Sequence, residues 1–505
     1  MSLVTSVSRV FGYVRDAALA AVLGAGLGMD AFAVAFRLAN LFRRLVAEGA
    51  MSAAFVPVFV EYRGQHTADE LWDFARKFFY TLALVAGLIV LLEIIFAPFI
   101  VRVMAPGFSN VDGKWELTVF LTRVMAPYLV FVALAAFLMG VLNAFGRFAV
   151  PALSPVFFNV IIIVSAFSLA HITPDRSVGI AIGVLIGGVL QFLSQVPSAM
   201  GLGMQFKVGF SFRHPAIRKV GTLLAPSIFG IGIVQINLLV DSLMASFLRE
   251  GSVSQLYYAD RVMELVLGIF IMSLTTVILP DMSRSAAAKN MSEVKETLLF
   301  SVRSTMFVAI PATVGLFLLA DPITHVLFER GRFSSLDTER TSVALAYYAL
   351  GLFFISSVKI LVSAFYALQD TKTPVKVAAV SLAVNAFMNW VLMQPLKQGG
   401  IALATSIAGA ISVVQLAAIF QKKYGSLNWS QFRTSFIKVG AASGVMGIAS
   451  LLILRLFQFN SAQPLSWKIT ALFGTIVLSI LVYLAAAWVL KMDELRIFRK
   501  LKIQK

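Results

Sequence analysis

An all-α polytopic membrane protein is the fold class this sequence predicts: 14 transmembrane helices, forming two pseudo-symmetric six-helix lobes plus two extra C-terminal helices. Three observations predict it. Hydrophobic residues make up 59% of the chain and charged residues 13%, against roughly 25% charge in a soluble globular domain. Stretches of the length that a bilayer demands, about 20 apolar residues, recur along the whole chain. Finally, breakers and polar landmarks return at one fixed spacing.

The apolar stretches are 4–25, 29–60, 75–103, 116–144, 149–171, 178–203, 218–247, 253–281, 295–328, 338–367, 374–395, 399–421, 435–457 and 466–490. Several exceed the minimum length, which implies tilt or ends that project past the bilayer. The first is interrupted by Arg9, Arg15 and Asp16, so no cleavable signal peptide is expected. Lys and Arg concentrate in the loops and helix ends of one side, 23 against 10 on the other. By the positive-inside rule this puts both termini in the cytoplasm.

Arg37 and Arg261 lie 224 positions apart, as do Gln191 and Gln415; Pro57 and Pro280, and Pro151 and Pro374, lie 223 apart. One period in segments of matching type argues for duplication of a six-helix unit. Six is even, so both copies face the same way, a parallel repeat about an axis along the membrane normal. The expected divisions are a first lobe over 1–215, a second over 216–424 and an appended pair with a basic tail over 425–505. Two such lobes suit alternating access around a midplane site. An internal pseudo-dimer lets one chain suffice, so a monomer is expected.

The net charge of +17 belongs to the cytoplasmic loops and is no nucleic-acid footprint, since no basic stripe with interleaved aromatics appears. There is no cysteine, and His66, His171, His214 and His325 are scattered, which excludes a Cys/His metal site. No G-x-x-x-x-G-K-[ST] run supplies ATP chemistry. No D-x-D or D-D pair offers the divalent-metal site that an enzyme acting on polyprenyl phosphates would need.

Ionisable residues inside a span are costly and face protein or a watery cavity. The first two stretches are crowded with them: Arg9, Arg15, Asp16, Asp30, Arg37, Arg43, Arg44 and Glu48. At 100° per residue, Asp30, Arg37, Arg44 and Glu48 fall within about 40° of one another, with Arg43 pointing elsewhere. Arg44 and Glu48 also form an i,i+4 pair. In the second lobe Asp260 and Glu264 flank Arg261. A cationic, water-filled cavity accounts for the set better than separate interfacial ion pairs do. Guanidinium forks match phosphate oxygens, so Arg9, Arg15 and Arg261 point to an anionic ligand, a diphosphate above a single carboxylate. A second group comprises Asp241, Asn385, Asn389 and Thr405. Its oxygens suit a small hard cation such as Na⁺ and equally suit helix–helix hydrogen bonding. Glu93, Arg123, Arg303 and Lys359 are further charges in or near spans, each as suited to a structural pair as to a pathway.

The stretch Ser8-Arg9-Val10-Phe11-Gly12-Tyr13-Val14-Arg15-Asp16 resembles the opening signature of the MurJ/MviN family. So do Asp30-Ala31-Phe32, Phe36-Arg37-Leu38, Asn40-Leu41-Phe42-Arg43-Arg44, Ala47-Glu48-Gly49-Ala50 and Ala54-Phe55-Val56-Pro57. Tyr257-Tyr258-Ala259-Asp260-Arg261-Val262-Met263-Glu264 and Gln369-Asp370-Thr371-Lys372-Thr373-Pro374-Val375-Lys376 are similar to it as well. The resemblance spans essentially the whole chain. It implies the fold of the multidrug/oligosaccharidyl-lipid/polysaccharide (MOP) exporter superfamily in a bacterial inner membrane. It implies transfer of lipid II to the outer leaflet, with membrane phospholipids around the chain. It places Arg9, Arg15 and Arg261 on the diphosphate, and Ser8, Asp16, Asp30, Arg37, Arg43, Arg44, Glu48, Asp260 and Glu264 in the cavity or its gates. Stretches 13 and 14 would guide the polyprenyl tail. No organic cofactor is implied. A Na⁺ ion would lie at Asp241, Asn385, Asn389, Thr405 and the Ile401 carbonyl. This chain departs from that pattern at Asn389, where the pattern has a second carboxylate; one negative charge fewer weakens cation binding. A drug exporter of the same fold would favour cationic substrates, which a multi-arginine cavity repels. Another oligosaccharide-lipid flippase would share the diphosphate ligand.

Overall fold

The computed structural model describes residues 2–44, 51–457, 459 and 463–496, and these are mostly helical with no strand among them. Among the described residues nine helices are long and apolar enough to cross a membrane. The chain divides into two compact units, Met1–Ser254 with Arg330–Phe333, and Gln255–Glu329 with Ser334–Lys505.

The first unit contains α1 (Ser2–Leu23), α2 (Leu27–Arg43), α3 (Met51–Gln65), α4 (Ala68–Met104), α5 (Lys114–Met125) and α6 (Tyr128–Ala144). It continues with α7 (Ala149–Phe167), α8 (Leu169–Ile172), α9 (Arg176–Leu193), α10 (Val196–Met200) and α11 (Pro215–Ser246). Helix starts follow local chemistry. Thr67 and Glu70 form a capping box at α4, and the Asp175 carboxylate accepts from the Ser177 N–H at α9. Apolar stretches read as single spans break where the sequence inserts a stop, as α5 and α6 do beside Pro127. Gly24, at φ +68°, ends α1 in the left-handed region. The interior between α3, α4 and α6 is a phenylalanine stack. Phe55 lies 4.9 Å from Phe78 and 5.0 Å from Phe137, centroid to centroid. Glycines every fourth residue on α9 admit close neighbours: a Cβ at Gly183 would sit 2.4 Å from Ser165 Oγ.

The second unit holds most of α12 (Ser252–Ala287), then α13 (Met291–Leu318), α14 (Ala320–Phe328), α15 (Ser335–Ala367), α16 (Lys372–Tyr424), α17 (Trp429–Leu456) and α18 (Leu465–Val489). The 53-residue α16 turns at Lys397, whose φ of 52° and ψ of −132° are non-helical. The turn follows Pro395 and separates the stretches 374–395 and 399–421 that the sequence marks as distinct spans. α17 and α18 pack on α13 through Met306, Phe307, Val439, Met446 and Tyr483, and the Tyr483 hydroxyl donates to the Phe307 carbonyl. A terminal 3-10 turn, Asp493–Arg496, adds Glu494 to this junction; its Oε1 accepts from Arg303 Nη2 at 2.8 Å and from Ser435 Oγ at 2.6 Å.

Candidate functional site

The polar groups that the sequence singles out fall into four sets. The first lies on α1, whose alanine-rich second half favours helix while Arg15 and Asp16 interrupt the apolar surface. Arg15 donates through Nε and Nη2 to Asp16 Oδ1, at 3.0 and 2.8 Å, and through Nη1 to Asn159 Oδ1 of α7 at 3.1 Å. Its guanidinium also stands 5.7 Å from the ring centroid of Phe36 on α2, an arrangement with cation–π attraction. Asn159 in turn donates to the Ser8 carbonyl. Asp16 is buried, whereas the Arg15 side chain keeps 11% of its surface accessible. Arg9 is exposed, six residues earlier on the same helix. Asn159 is a partner that the sequence reading missed; the signal available was an amide inside the apolar run of the fifth stretch.

The second set lies on α2. Asp30 is fully buried and saturated: Oδ2 accepts from Lys114 Nζ at 2.7 Å and the Gly251 N–H at 2.8 Å. Its Oδ1 accepts from the Ser254 N–H at 2.8 Å and from the Ser254 hydroxyl. Lys114, 2% exposed, also lies 4.2 Å from the Phe108 centroid. Two turns on, Arg37 donates to the Leu238 carbonyl and Ser242 hydroxyl of α11. Asp30 and Arg37 thus share a face of α2, in keeping with their helical phase. Arg43 turns to Asn40 on its own helix at 3.0 Å. Arg44 is half-buried beyond the end of α2, and its N–H bonds the Asn40 and Leu41 carbonyls. Glu48, and with it the Arg44–Glu48 pair, lies outside the described residues.

The third set belongs to the second unit. Arg261 Nη1 donates to Glu264 Oε2 at 2.5 Å, and its guanidinium stands 4.9 Å from the Tyr257 centroid. Asp260 is half-buried beside it. The fourth set is a chain of neutral groups between the two arms of α16. Asn389 donates to Asn385 at 3.0 Å, Asn385 to Thr405 at 3.2 Å, and Thr405 to the Ile401 carbonyl at 3.3 Å. Asp241, buried on α11, belongs to the first unit. Among the described residues no cluster of three or more His, Cys, Asp or Glu could hold a metal ion.

Two further polar groups lie in the second unit, one outside the residues that the sequence singles out and one within the motif 369–376. Lys468 of α18 lies 2.8 Å from His325 Nε2, and His325 Nδ1 lies 2.7 Å from Glu329 Oε2. A charged lysine makes Nε2 the acceptor, so Nδ1–H donates to Glu329. At the start of α16 the Asp370 carboxylate accepts from the Thr373 N–H and hydroxyl and from Lys423. Burial raises its pKa, but these hydrogen bonds outweigh it and hold the group down at about 2.

The fold is that of membrane exporters. It is similar to an inward-facing multidrug resistance MATE family transporter of the MOP superfamily, with a TM-score of 0.69, 83% of this chain and 94% of that chain covered, and 12% identity. At that identity the likeness concerns the fold alone. Similarity to the solved lipid II flippase MurJ in an inward closed conformation is greater: TM-score 0.80, 29% identity, 98% and 99% of the two chains. The family profile described as lipid II flippase MurJ matches residues 19–489. The probable lipid II flippase MurJ of Vibrio cholerae is 35% identical, covering 96% of this chain and 94% of its own. The lipid II flippase MurJ of Burkholderia cenocepacia is 33% identical over 96% and 95%. The chain belongs to the lipid II flippase MurJ family, which makes it a multi-pass bacterial inner-membrane transporter and not a catalyst.

Proposed function

We propose that this chain moves lipid II, an undecaprenyl-diphosphate carrying a disaccharide-pentapeptide, from the cytoplasmic to the outer leaflet by alternating access. The observation that carries the reading is Arg15: a guanidinium within the apolar stretch 4–25, on α1, oriented by Asp16 and Asn159 and still partly accessible. Orientation by fixed partners lowers the entropy lost when the fork meets phosphate oxygens. Arg9 and Arg15 in the first unit and Arg261 in the second are the groups assigned to the diphosphate. Ser8, Asp16, Asp30, Arg37, Arg43, Arg44, Glu48, Asp260 and Glu264 are assigned to holding or gating those arginines.

The wider reading has 14 spans with both termini cytoplasmic, lobes over 1–215 and 216–424, and a groove over 425–505 for the polyprenyl tail, within a monomer surrounded by phospholipid. An inside-negative potential supplies the drive, since one elementary charge crossing 100 mV is worth about 2.3 kcal/mol. Sodium is the second candidate drive. What supports it is the hard-oxygen chemistry of Asn385, Asn389, Thr405 and the Ile401 carbonyl. Asp241 is the single carboxylate that the resemblance adds, so the affinity is expected to be low.

The test is rescue of a strain depleted of its lipid II flippase, with outer-leaflet lipid II read by an externally added lipid II-degrading toxin. Rescue by the intact chain and loss in Arg15→Ala and Arg261→Ala, at equal membrane levels, supports the reading. Failure of the well-expressed intact chain to restore outer-leaflet lipid II rejects the cargo. Rescue by the arginine variants rejects their assignment.

A further inference from the structure

The connection between α10 and α11, residues 201–214, carries no helix. Its middle alternates: Val208, Phe210 and Phe212 are 84%, 61% and 54% exposed, while Gly209 and Ser211 between them are half-buried. The backbone is strapped to α4. Tyr80 Oη donates to the Phe206 carbonyl at 2.9 Å, and the Ser211 N–H donates to Thr81 Oγ1 at 3.1 Å. Phe206 packs edge-on against Phe79, centroids 5.2 Å apart, which fixes the inward side of the strap.

Neither bulk phase suits this segment. A backbone without helical hydrogen bonds is not tolerated against hydrocarbon, and three neighbouring apolar side chains are not favoured in water. The headgroup layer accommodates both. Charge selects the lipid. Arg76 and Lys77 share Asp73, and Lys219 pairs with Glu61. Lys207, Arg213 and Arg218 are exposed and make no ion pair among the described residues. We infer that the 201–214 strap is a binding surface for anionic lipid headgroups, with Val208, Phe210 and Phe212 inserted at the interface and Lys207, Arg213 and Arg218 on the phosphates. The inference does not depend on the cargo. The charge asymmetry of the loops assigns this side to the cytoplasmic leaflet.

The chain has no cysteine, so Val208→Cys gives one site for an environment-sensitive fluorophore. The full-length labelled protein is placed in nanodiscs of phosphatidylglycerol or phosphatidylcholine, with spin labels at the headgroup or at mid-chain. Leu91→Cys, at a position of α4 that is 53% exposed, reports that the protein is embedded and folded. The expected result is blue-shifted emission at Val208→Cys, quenched by headgroup labels. In mixed nanodiscs, spin-labelled phosphatidylglycerol should quench up to about fivefold more than spin-labelled phosphatidylcholine, the enrichment one basic contact supplies. Lys207→Gln, Arg213→Gln and Arg218→Gln together should remove that preference and leave the blue shift. Water-like emission, insensitive to every label, would overturn the proposal and leave the strap facing solvent for a soluble partner. Stronger quenching from mid-chain would place it in hydrocarbon instead. Equal quenching by the two lipids in the intact chain would end the headgroup assignment.

Discussion

Asp30 and Arg15 are both charges on the first pair of helices, and the first unit surrounds them differently. Asp30 is enclosed, with a lysine ammonium and two backbone N–H groups on its two oxygens. Arg15 donates to the Asp16 carboxylate and the Asn159 amide oxygen, at the accessible margin of α1. A buried carboxylate with every oxygen occupied ties elements together, here α2 to α5 and to the first turn of α12. An oriented guanidinium at an accessible margin is suited to exchanging partners. Rarity of charge in an apolar stretch marks both; accessibility separates them. The largest effect should therefore come from breaking the enclosed group. Lys114→Met leaves Asp30 buried without its cation, at a cost of about 3–5 kcal/mol, read as a large fall in melting temperature of the detergent-purified protein. Arg15→Ala should melt much closer to the intact chain. Equal losses in the two variants would erase the distinction.

Charge-preserving changes sharpen it. Arg15→Lys and Arg261→Lys keep a cation but lose the planar fork. A hydrogen bond to a charged group is worth about 1.5–3 kcal/mol, so binding of lipid II should weaken about tenfold or more in each, measured by titration of the purified protein. Unchanged affinity would mean that these side chains hold α1 and α12 and not the diphosphate.

The nine described helices long and apolar enough to cross a membrane were legible as apolar stretches because bilayer thickness imposes a length scale on a spanning helix. The turn in α16 was legible too, since Pro395 and the glycine pair at 399–400 interrupt an apolar run that is otherwise too long. What the sequence hid were partners at long range. Lys114 stands 84 residues from Asp30, and Asn159 stands 144 from Arg15. Lys114 read as one more loop cation, because nothing in its own neighbourhood distinguishes an ammonium that is buried from one in water. Arg37 read as a cavity group by its helical phase. That phase does aim it at one face with Asp30, where it meets the Leu238 carbonyl and Ser242.

The neutral chain within α16 allows a smaller test. Asn389→Asp restores a second carboxylate beside Asn385 and Thr405. If this region holds Na⁺, the variant should show a larger rise in melting temperature in NaCl than in KCl, and a larger one than the intact chain. Tenfold tighter binding is worth about 1.4 kcal/mol at saturating salt. An Asn389→Asp protein that melts lower in both salts alike would mark the chain as helix–helix hydrogen bonding alone.

The smallest expected effect comes from a carboxylate outside the spans, where solvent takes over from burial. Asp370 is held at about 2, below its ordinary 3.8, by Thr373 and Lys423 against the opposing pull of burial. A depressed folded-state pKa means that its ionised form favours the folded state. That contribution is complete above about pH 4 and is lost as pH falls toward 2. Asp370→Asn keeps an oxygen for the Thr373 N–H but gives up the ion pair with a half-exposed Lys423. At neutral pH it should cost no more than about 1 kcal/mol. Between pH 4 and 2 the stability of the intact protein should fall more steeply than that of the variant. Parallel curves through that window would show that neither Lys423 nor Thr373 favours the ionised carboxylate in the folded state.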